Sequence, residues 1–392
     1  MYEILWMLLP VAAGAGWFAG RRSLSKRAPD KLWSHATSYH RDLHLLLSDR
    51  HSDGESSESP EFHNLGDIDH DAAETHLALG NLFRRRGDVE RAIQVHGSLI
   101  GKEELNQDVR AEARLELARD YDSAGLIDRA EDLFKILLSK DQHVEDCYEN
   151  LLLIYERASD WHRAIELADQ YQPHCSYDLG SRVSHYHCEL AEGARKDKDM
   201  VAMENWLESA LTRNPHCART NILCAELAQS RDDFEQAIER YECVEKYRPE
   251  LMPEIISPLF NALEQLGDKQ RLRAYVERIR SRYNSYSVIK TTRDMIEKLD
   301  GPQMSDLFFK EQIIKRPSLK GLRDWARGQM ERSRAGEREK VSVMCDMLDR
   351  VVEDKPAYVC ESCGFGAQTL HWRCPGCSRW DSVLTVIGAE GE

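Results

Sequence analysis

Four of the eleven cysteines stand close together near the C-terminus, at Cys360, Cys363, Cys374 and Cys377. Two residues separate the members of each pair, and ten residues separate the two pairs. Two intervening residues let a tight turn aim both thiolates at one ion, and the glycine after Cys363 relieves the backbone strain of such a turn. This spacing therefore predicts a closed, four-sulfur site for one metal ion.

Zinc and iron are the two candidate metals for this site. A closed four-sulfur site suits structural zinc, which can hold together a segment too short to fold on its own core. Cys-x-x-Cys-Gly followed by Cys-Pro-x-Cys is also similar to rubredoxin, in which four sulfurs hold an iron that transfers electrons. No flavin or nicotinamide fingerprint accompanies the cysteines. We therefore expect one structural Zn²⁺, with iron and a redox module as the alternative.

Two further features of the sequence concern cysteine and histidine. The remaining seven cysteines are scattered along the chain, which fits reduced thiols in a reducing compartment. A second metal site could involve His185, His187 and Cys188, with His174 and Cys175 nearby. Neighbouring residues of a helix point in different directions, so we do not expect this second site to form.

The sequence lacks the usual signatures of enzymes and of nucleic-acid binding. It contains no phosphate-binding loop, no His-Glu-x-x-His and no Gly-x-Ser-x-Gly elbow. The formal net charge of −15 opposes binding to phosphate-rich polymers. We expect Trp372 and Trp380 to cover the cysteine segment or to dock it on the preceding helices. These observations predict a non-enzymatic binding protein.

The N-terminus predicts a membrane anchor. Residues 4–20 carry no charge, and the twenty residues of 1–20, at 1.5 Å each, span roughly 30 Å, the thickness of the hydrocarbon core. A cleaved signal peptide is the alternative, but it needs positive charge before the apolar segment. Here Glu3 precedes it, whereas Arg21, Arg22, Lys26 and Arg27 follow it. The positive-inside rule then predicts a single-pass helix with the rest of the chain in the cytoplasm.

A period near 34 residues follows and indicates the fold. One unit is HLALGNLFRRRGDVERAIQVHGSLI, in which Leu79, Gly80 and Phe83 share one helical face and Ala92 lies on a second helix. The next unit, RLELARDYDSAGLIDRAEDLFKILL, has small and aromatic residues at matching places. Such hairpins stack because small residues let helices approach while an aromatic ring fills the adjacent groove.

The predicted fold is mostly α: an N-terminal transmembrane helix, a right-handed superhelical solenoid of tetratricopeptide repeats, and a C-terminal rubredoxin-like zinc ribbon. The predicted segments are an anchor over 1–20, a juxtamembrane helix with a polar loop and a degenerate first repeat over 21–70, tetratricopeptide repeats over 71–284, degenerate helical repeats over 285–354, and the metal ribbon over 355–392.

The order of these features resembles the lipopolysaccharide assembly protein B family of Gram-negative bacteria. The resemblance is carried by LLPVAAGAGWFAGRR, HLALGNLFRRRGDVERAI, YDSAGLIDRAEDLF and CESCGFGAQTLHWRCPGCSRW, and it covers nearly the full chain. It implies an inner-membrane helix, cytoplasmic repeats and a zinc ribbon packed against them. The four cysteines are the only functional residues that the resemblance transfers.

The resemblance also implies a function and partners. Members of the family help the membrane AAA+ protease FtsH to degrade LpxC, the deacetylase that commits precursors to lipid A, and a lipopolysaccharide-sensing inner-membrane regulator is expected to restrain them. A generic scaffold for lipopolysaccharide assembly, without a role in proteolysis, would share every feature of this sequence. Association into a homo-oligomer is also compatible with it.

Overall fold

The computed structural model describes residues 70–175, 177–332, 335–353 and 355–388. The anchor predicted over 1–20 lies outside the described residues, as does the juxtamembrane segment predicted over 21–70 apart from its last residue. Among the helices that are described, none combines the length and the apolar character needed to cross a bilayer.

Helical hairpins in succession occupy the described chain from His70 to Glu353. The first four hairpins are α1 (His70–Arg86) with α2 (Val89–Ile100), α3 (Gln107–Ser123) with α4 (Ile127–Leu138), α5 (Val144–Ala158) with α6 (Trp161–Tyr171), and α7 (Gly180–Lys196) with α8 (Met200–Arg213). The next four are α9 (Ala218–Ser230) with α10 (Phe234–Tyr247), α11 (Met252–Leu266) with α12 (Lys269–Arg282), α13 (Tyr286–Asp300) with α14 (Pro302–Lys315), and α15 (Leu319–Arg332) with α16 (Ala335–Glu353). Short 3-10 turns at Gln172–His174 and Pro249–Leu251 precede α7 and α11. The described helices thus form the mostly helical, tetratricopeptide-like array that the sequence period predicts.

One turn geometry recurs inside the first six hairpins. A single residue with positive φ ends the first helix; these residues are Gly87, Gly125, Ser159, Lys198, Asp232 and Gly267. In five of the six turns the next residue is an aspartate whose carboxylate accepts a backbone N–H of the second helix; these caps are Asp88, Asp160, Asp199, Asp233 and Asp268. The cap satisfies an N–H group that the helix itself cannot pair, so each of these five second helices begins at a defined residue.

Small residues set how closely the helices approach. Leu79, Phe83 and Ala92 are buried, as the repeat pattern predicts. A Cβ atom on Gly80 would lie 2.3 Å from the ring of His96 on α2, so only glycine fits at that crossing. His96 is itself fully buried, and its Nδ1 lies 2.5 Å from a carboxylate oxygen of Asp120 on α3.

Ion pairs connect the first helices of neighbouring hairpins. Arg84 on α1 donates to Asp120 on α3 at 2.8 Å, and the largely buried Arg219 on α9 donates to Glu189 on α7 at 2.8 Å. Each pair spans about one repeat, so the same type of contact can recur along the array. Burial makes these pairs sensitive to the loss of either partner.

The segment predicted as degenerate repeats, residues 285–354, contains the last two hairpins. Phe308 and Phe309 on α14 are buried in the same core cluster as α11 and α12. Arg327 on α15 donates to Asp349 on α16 at 2.8 Å and connects the helices of the last pair. Helix pairing therefore persists where the sequence signature of the repeat has faded.

A small three-stranded antiparallel sheet follows the helices. It consists of β1 (Tyr358–Cys360), β2 (Gly366–Ala367) and β3 (Val383–Thr385) in the order β2-β1-β3. Within the described part of this segment, the buried cluster consists of Cys360, Cys374 and Val383, with Tyr358, Phe365 and Cys377 packed against it. A core of this size offers too little apolar burial to offset the entropy of ordering the segment.

Candidate metal centre and its docking surface

The fold brings all four predicted cysteines together. Their sulfur atoms lie within 4.8 Å of one another. The Sγ atoms of Cys360 and Cys377 are 3.7 Å apart, and those of Cys363 and Cys374 are 3.6 Å apart. A disulfide would require about 2.05 Å, whereas two sulfurs bound tetrahedrally at 2.3 Å to one zinc ion lie about 3.8 Å apart. The arrangement therefore fits a four-sulfur metal site.

Two similar turns deliver these thiols. The amide of Gly364 donates to the carbonyl of Cys360 at 2.9 Å, and the amide of Ser378 donates to the carbonyl of Cys374 at 2.8 Å. Gly364 has φ of 76° and Ser378 has φ of 59°, so both residues after a cysteine pair adopt the left-handed conformation. Only the first turn has the glycine that this conformation favours.

The surroundings of the sulfurs favour thiolate at one ligand. Ser382 Oγ lies 3.3 Å from Cys360 Sγ, and the hydrogen bond to this hydroxyl is the main cause that lowers the pKa of the Cys360 thiol to about 6. A thiolate is the form that binds a metal. The Ser382 hydroxyl thus favours the metal-binding form of this one ligand.

A buried carboxylate on the helical array receives the ribbon. Glu156 of α5 is 1% exposed. Arg373, which precedes Cys374, donates to its carboxylate at 3.0 Å and to its backbone carbonyl at 3.1 Å. The indole N–H of Trp380 donates to the same carboxylate at 3.0 Å. Two ribbon residues on either side of the second cysteine pair therefore converge on one helical residue.

Glu156 is also held from the side of the helices. Arg182 Nε donates to it at 2.7 Å and the hydroxyl of Tyr186 donates at 2.6 Å, both from α7. Burial is the largest influence on the Glu156 carboxyl and opposes its ionisation. The contacts from Arg182, Tyr186 and Trp380 outweigh burial and hold the pKa of Glu156 below its usual range, so it remains a carboxylate.

The aromatic part of the interface surrounds Trp380. Its ring stacks on His185 with centroids 4.7 Å apart and an interplanar angle of 15°. Trp380 also makes edge-to-face contacts with Trp161 and Tyr186, with ring centroids 6.2 Å and 6.1 Å apart. The ring centroid of Trp372 lies 6.2 Å from that of His185, and Trp372 packs on the core cluster of α9 to α14. Both ribbon tryptophans therefore dock the ribbon, which was one of the two roles predicted for them.

A second polar contact lies beside the stack. Asp381 Oδ2 is 2.8 Å from Nε2 of the buried His185, and Ser181 Oγ donates to the same oxygen at 3.4 Å. Burial raises the pKa of Asp381, but the contacts with His185 and Arg248 prevail and lower it overall. Arg248 also places a cation 3.8 Å from the other carboxylate oxygen.

The far edge of the ribbon reaches the sixth hairpin. The hydroxyl of Tyr358 on β1 donates to Glu254 on α11, and the hydroxyl of Thr385 on β3 donates to the backbone carbonyl of Glu250 at 3.5 Å. The ribbon thus contacts the first helices of several hairpins at once, namely α5, α7 and α11. The helices and the metal segment form one joined unit at this interface.

Sequence reasoning missed the helical half of the interface. Glu156 and Arg182 were not singled out, because 217 residues separate Glu156 from Arg373 along the chain. A signal does exist: Glu156 lies four residues after the buried Leu152, at a helical core position where a charge is rare. The second metal site at His185, His187 and Cys188 was not expected to form. Within the described residues, the four ribbon cysteines alone form a group able to hold an ion, and His185 instead binds Asp381.

Two protein families match parts of the chain. The family described as rubredoxin metal binding domain matches residues 358–384, which include all four cysteines. The tetratricopeptide repeat family matches residues 75–109. These matches agree with the ribbon and with the hairpin array described above.

Full-length relatives also exist. The lipopolysaccharide assembly protein B of Escherichia coli K12 is 30% identical over 394 residues, covering 100% of both chains. The protein of the same name from Haemophilus influenzae is 28% identical over 396 residues, again covering 100% of both chains. A solved tetratricopeptide repeat protein from Parabacteroides merdae aligns with 61% of this chain and 91% of its own at 14% identity, with a TM-score of 0.32.

Proposed function

Because the chain belongs to the lipopolysaccharide assembly protein B family, we propose that it is a non-enzymatic adaptor of lipopolysaccharide biosynthesis in the bacterial inner membrane. In this proposal it promotes degradation of the deacetylase LpxC by the membrane AAA+ protease FtsH, and a lipopolysaccharide-sensing inner-membrane regulator restrains it.

The observation that carries the proposal is the docking of the ribbon on α5, α7 and α11. Arg373 and Trp380 meet at the buried Glu156, so the ribbon and the helices present their surfaces in one fixed arrangement. A partner that contacts both would recognise only the docked form. An adaptor needs such a composite surface to hold a protease and its substrate in a productive orientation.

The metal has a structural role in this proposal, with zinc as the ion and iron as the alternative. Cys360, Cys363, Cys374 and Cys377 would hold it, and bound zinc would supply a rigid cross-link between the two cysteine turns. Metal analysis of the purified protein tests this assignment. Near-stoichiometric iron with a reversible red colour would replace zinc and favour the redox module.

The membrane anchor proposed over residues 1–20 would confine the adaptor to the plane of the protease. Confinement by a short tether typically raises the effective concentration of two partners to about the millimolar range. A soluble substrate captured by the repeats or the ribbon would then meet the protease more often. Protease added to spheroplasts should leave the repeats intact unless the cells are lysed, and digestion without lysis would contradict this topology.

The half-life of LpxC after a block of protein synthesis tests the adaptor role. We expect it to lengthen when the protein is depleted and when residues 1–20 are removed. An unchanged half-life on depletion, with FtsH present and active, would favour the scaffold for lipopolysaccharide assembly, which the names of the relatives also fit.

A matched pair of arginine variants separates docking from general ribbon function. Arg373→Ala removes the contact with Glu156, whereas Arg379→Ala removes an exposed ribbon arginine that contacts the Ser362 hydroxyl. We expect the first variant to stabilise LpxC and the second to leave its half-life unchanged. Equal effects of both variants would mean that docking is not what the proteolytic role requires.

A further inference from the structure

The last helix of the array, α16, exposes an apolar face. Val343, Met347 and Val351 follow one another at intervals of four residues, and their side chains are 55%, 65% and 46% exposed. Met344 beside them is 39% exposed. Residues four apart lie above one another on a helix, so these side chains form one continuous stripe. A solenoid normally ends on a polar outer face, which makes this stripe unusual.

The opposite face of α16 is already occupied. Cys345 and Val352 are buried, and Asp349 accepts the ion pair from Arg327 on α15. These contacts fix the rotation of α16 about its own axis. The stripe therefore faces away from the contacts that hold α16 to α15.

Two opposite charges flank the stripe on one edge. Glu339 and Arg350 are eleven residues apart. On a helix this separation is about 16 Å along the axis, and the two side chains leave the axis in directions that differ by about 20°. Both side chains are exposed, and neither has an ion-pair partner in the described part of the chain. The midpoint between them nearly coincides with the midpoint between Val343 and Met347.

This placement is self-complementary. If two copies of α16 lie antiparallel and share that midpoint, the stripes face each other. Glu339 of each copy then lies opposite Arg350 of the other, which gives two ion pairs by symmetry. An isologous contact of this kind requires complementary groups to be arranged about one two-fold axis. We propose that α16 is a self-association surface on which a second copy of this chain packs antiparallel.

The charges on α16 favour a second copy over an anionic lipid surface. The exposed charged side chains of α16 have both signs: Arg338, Lys340 and Arg350 are basic, and Glu339 and Asp346 are acidic. A lipid-binding helix would instead carry mainly Lys and Arg on its polar side. The pairing does not depend on the proposed role in proteolysis.

The exposed residues of α14 provide a contrast. Leu307 and Ile314 are 60% and 70% exposed, but the acidic residue between them, Glu311, already pairs with Lys315 at 2.6 Å. No free acidic and basic pair flanks that stripe in the same symmetric way. Of these two helices, α16 therefore has the symmetric arrangement of apolar stripe and charges that a second copy requires.

Sedimentation velocity of the full-length protein in mild detergent tests the surface. One helix pair buries less area than a standard interface, so we expect a dimer with a dissociation constant in the micromolar range. Met347→Asp should weaken the dimer at least about ten-fold, because it places a charge at the centre of the contact. Val201→Asp, at a 68% exposed position on α8, is the matched control and should leave dimerisation unchanged.

A charge exchange tests the antiparallel arrangement. Glu339→Arg and Arg350→Glu should each weaken the dimer, since each brings like charges together, and the double variant should restore it to within about two-fold. A wild-type protein that stays monomeric, or a dimer that Met347→Asp leaves intact, would overturn the proposal. So would a failure of the double variant to restore the dimer. Loss of binding to anionic vesicles in a monomeric Met347→Asp variant would assign the surface to lipid instead.

Discussion

The helical hairpins and the metal ribbon are stabilised in opposite ways. Each hairpin buries small and aromatic residues against its neighbours, so the free energy of folding is spread over many similar interfaces. Over its described residues 355–388, the ribbon has a buried cluster of three residues and depends on its four thiols and on contacts with Glu156.

The two kinds of attachment differ in their sensitivity to single changes. An interface within the array is mainly apolar and can lose one methyl group at modest cost. The ribbon interface centres on a buried carboxylate that accepts four separate donors, so the loss of one donor leaves charge poorly compensated. The apolar positions of the array should therefore tolerate variation, whereas the docked ribbon should respond sharply to it.

Removal of one metal ligand should have the largest effect. Cys374→Ser should release the metal and unfold the ribbon, since binding of a structural zinc ion contributes about 10–16 kcal/mol in small domains. Hydrogen exchange should then lose protection over 355–388 but keep it over 107–138. Cys243→Ser, outside the ribbon, should change neither metal content nor exchange. A ribbon that stays protected without metal would remove the contrast between the two regions.

Neutralising the docking carboxylate should have the next largest effect. Glu156→Gln keeps the size of the side chain but removes its charge beside Arg182 and Arg373. Loss of one partner of a buried ion pair typically costs about 3–5 kcal/mol. We expect faster exchange across the ribbon interface with the metal still bound, as measured by hydrogen exchange and metal content.

The control for this variant is Glu204→Gln, which breaks an exposed pair with Arg231. Exposed pairs contribute little to stability, so this variant should behave like the wild type. Unchanged exchange in Glu156→Gln would show that aromatic stacking by Trp380 suffices for docking.

A smaller effect should follow from crowding one interface within the array. Gly80→Ala places a methyl group 2.3 Å from the His96 ring and should lower the free energy of unfolding by up to about 3 kcal/mol. Gly97→Ala on α2, which meets no neighbouring atom within 4 Å, should stabilise the protein by up to about 1 kcal/mol. Urea denaturation measures both variants. Equal effects would mean that the close approach at Gly80 does not limit packing.

The smallest predicted effect depends on pH. His187 is buried against Trp206, and burial lowers its pKa to about 4. The unfolded chain takes up a proton near pH 6.5 and the folded chain does not, so stability falls as pH falls from about 6.5 towards 4. At pH 5.5 this loss should be about 1 kcal/mol, and His187→Phe should abolish it. The urea midpoints of the wild type and of His187→Phe, each at pH 7.5 and pH 5.5, measure this loss. An identical pH dependence of the two proteins would contradict the assignment of the effect to His187.

The sequence predicted the regular parts of the molecule well. The period near 34 residues indicated the hairpins because repeated burial of Leu79, Phe83 and Ala92 leaves a regular pattern of residue types. It did not reveal the turns at Ser159, Lys198 and Asp232, where residues other than glycine adopt positive φ. Such turns depend on the helices that flank them, so composition alone is a weak guide.

The sequence by itself determined the candidate metal site and the helical repeat, because both depend on regular spacing along the chain. Two residues between cysteines and 34 residues between hairpins are distances along the chain that a linear pattern records. Only the tertiary structure decided where the ribbon docks. The Glu156 contact with Arg373 joins residues 217 positions apart, and its strength comes from burial, which depends on how the hairpins stack. The sequence alone does not distinguish a carboxylate that stays in water from one that accepts four hydrogen bonds in the interior. That difference arises only when the chain folds.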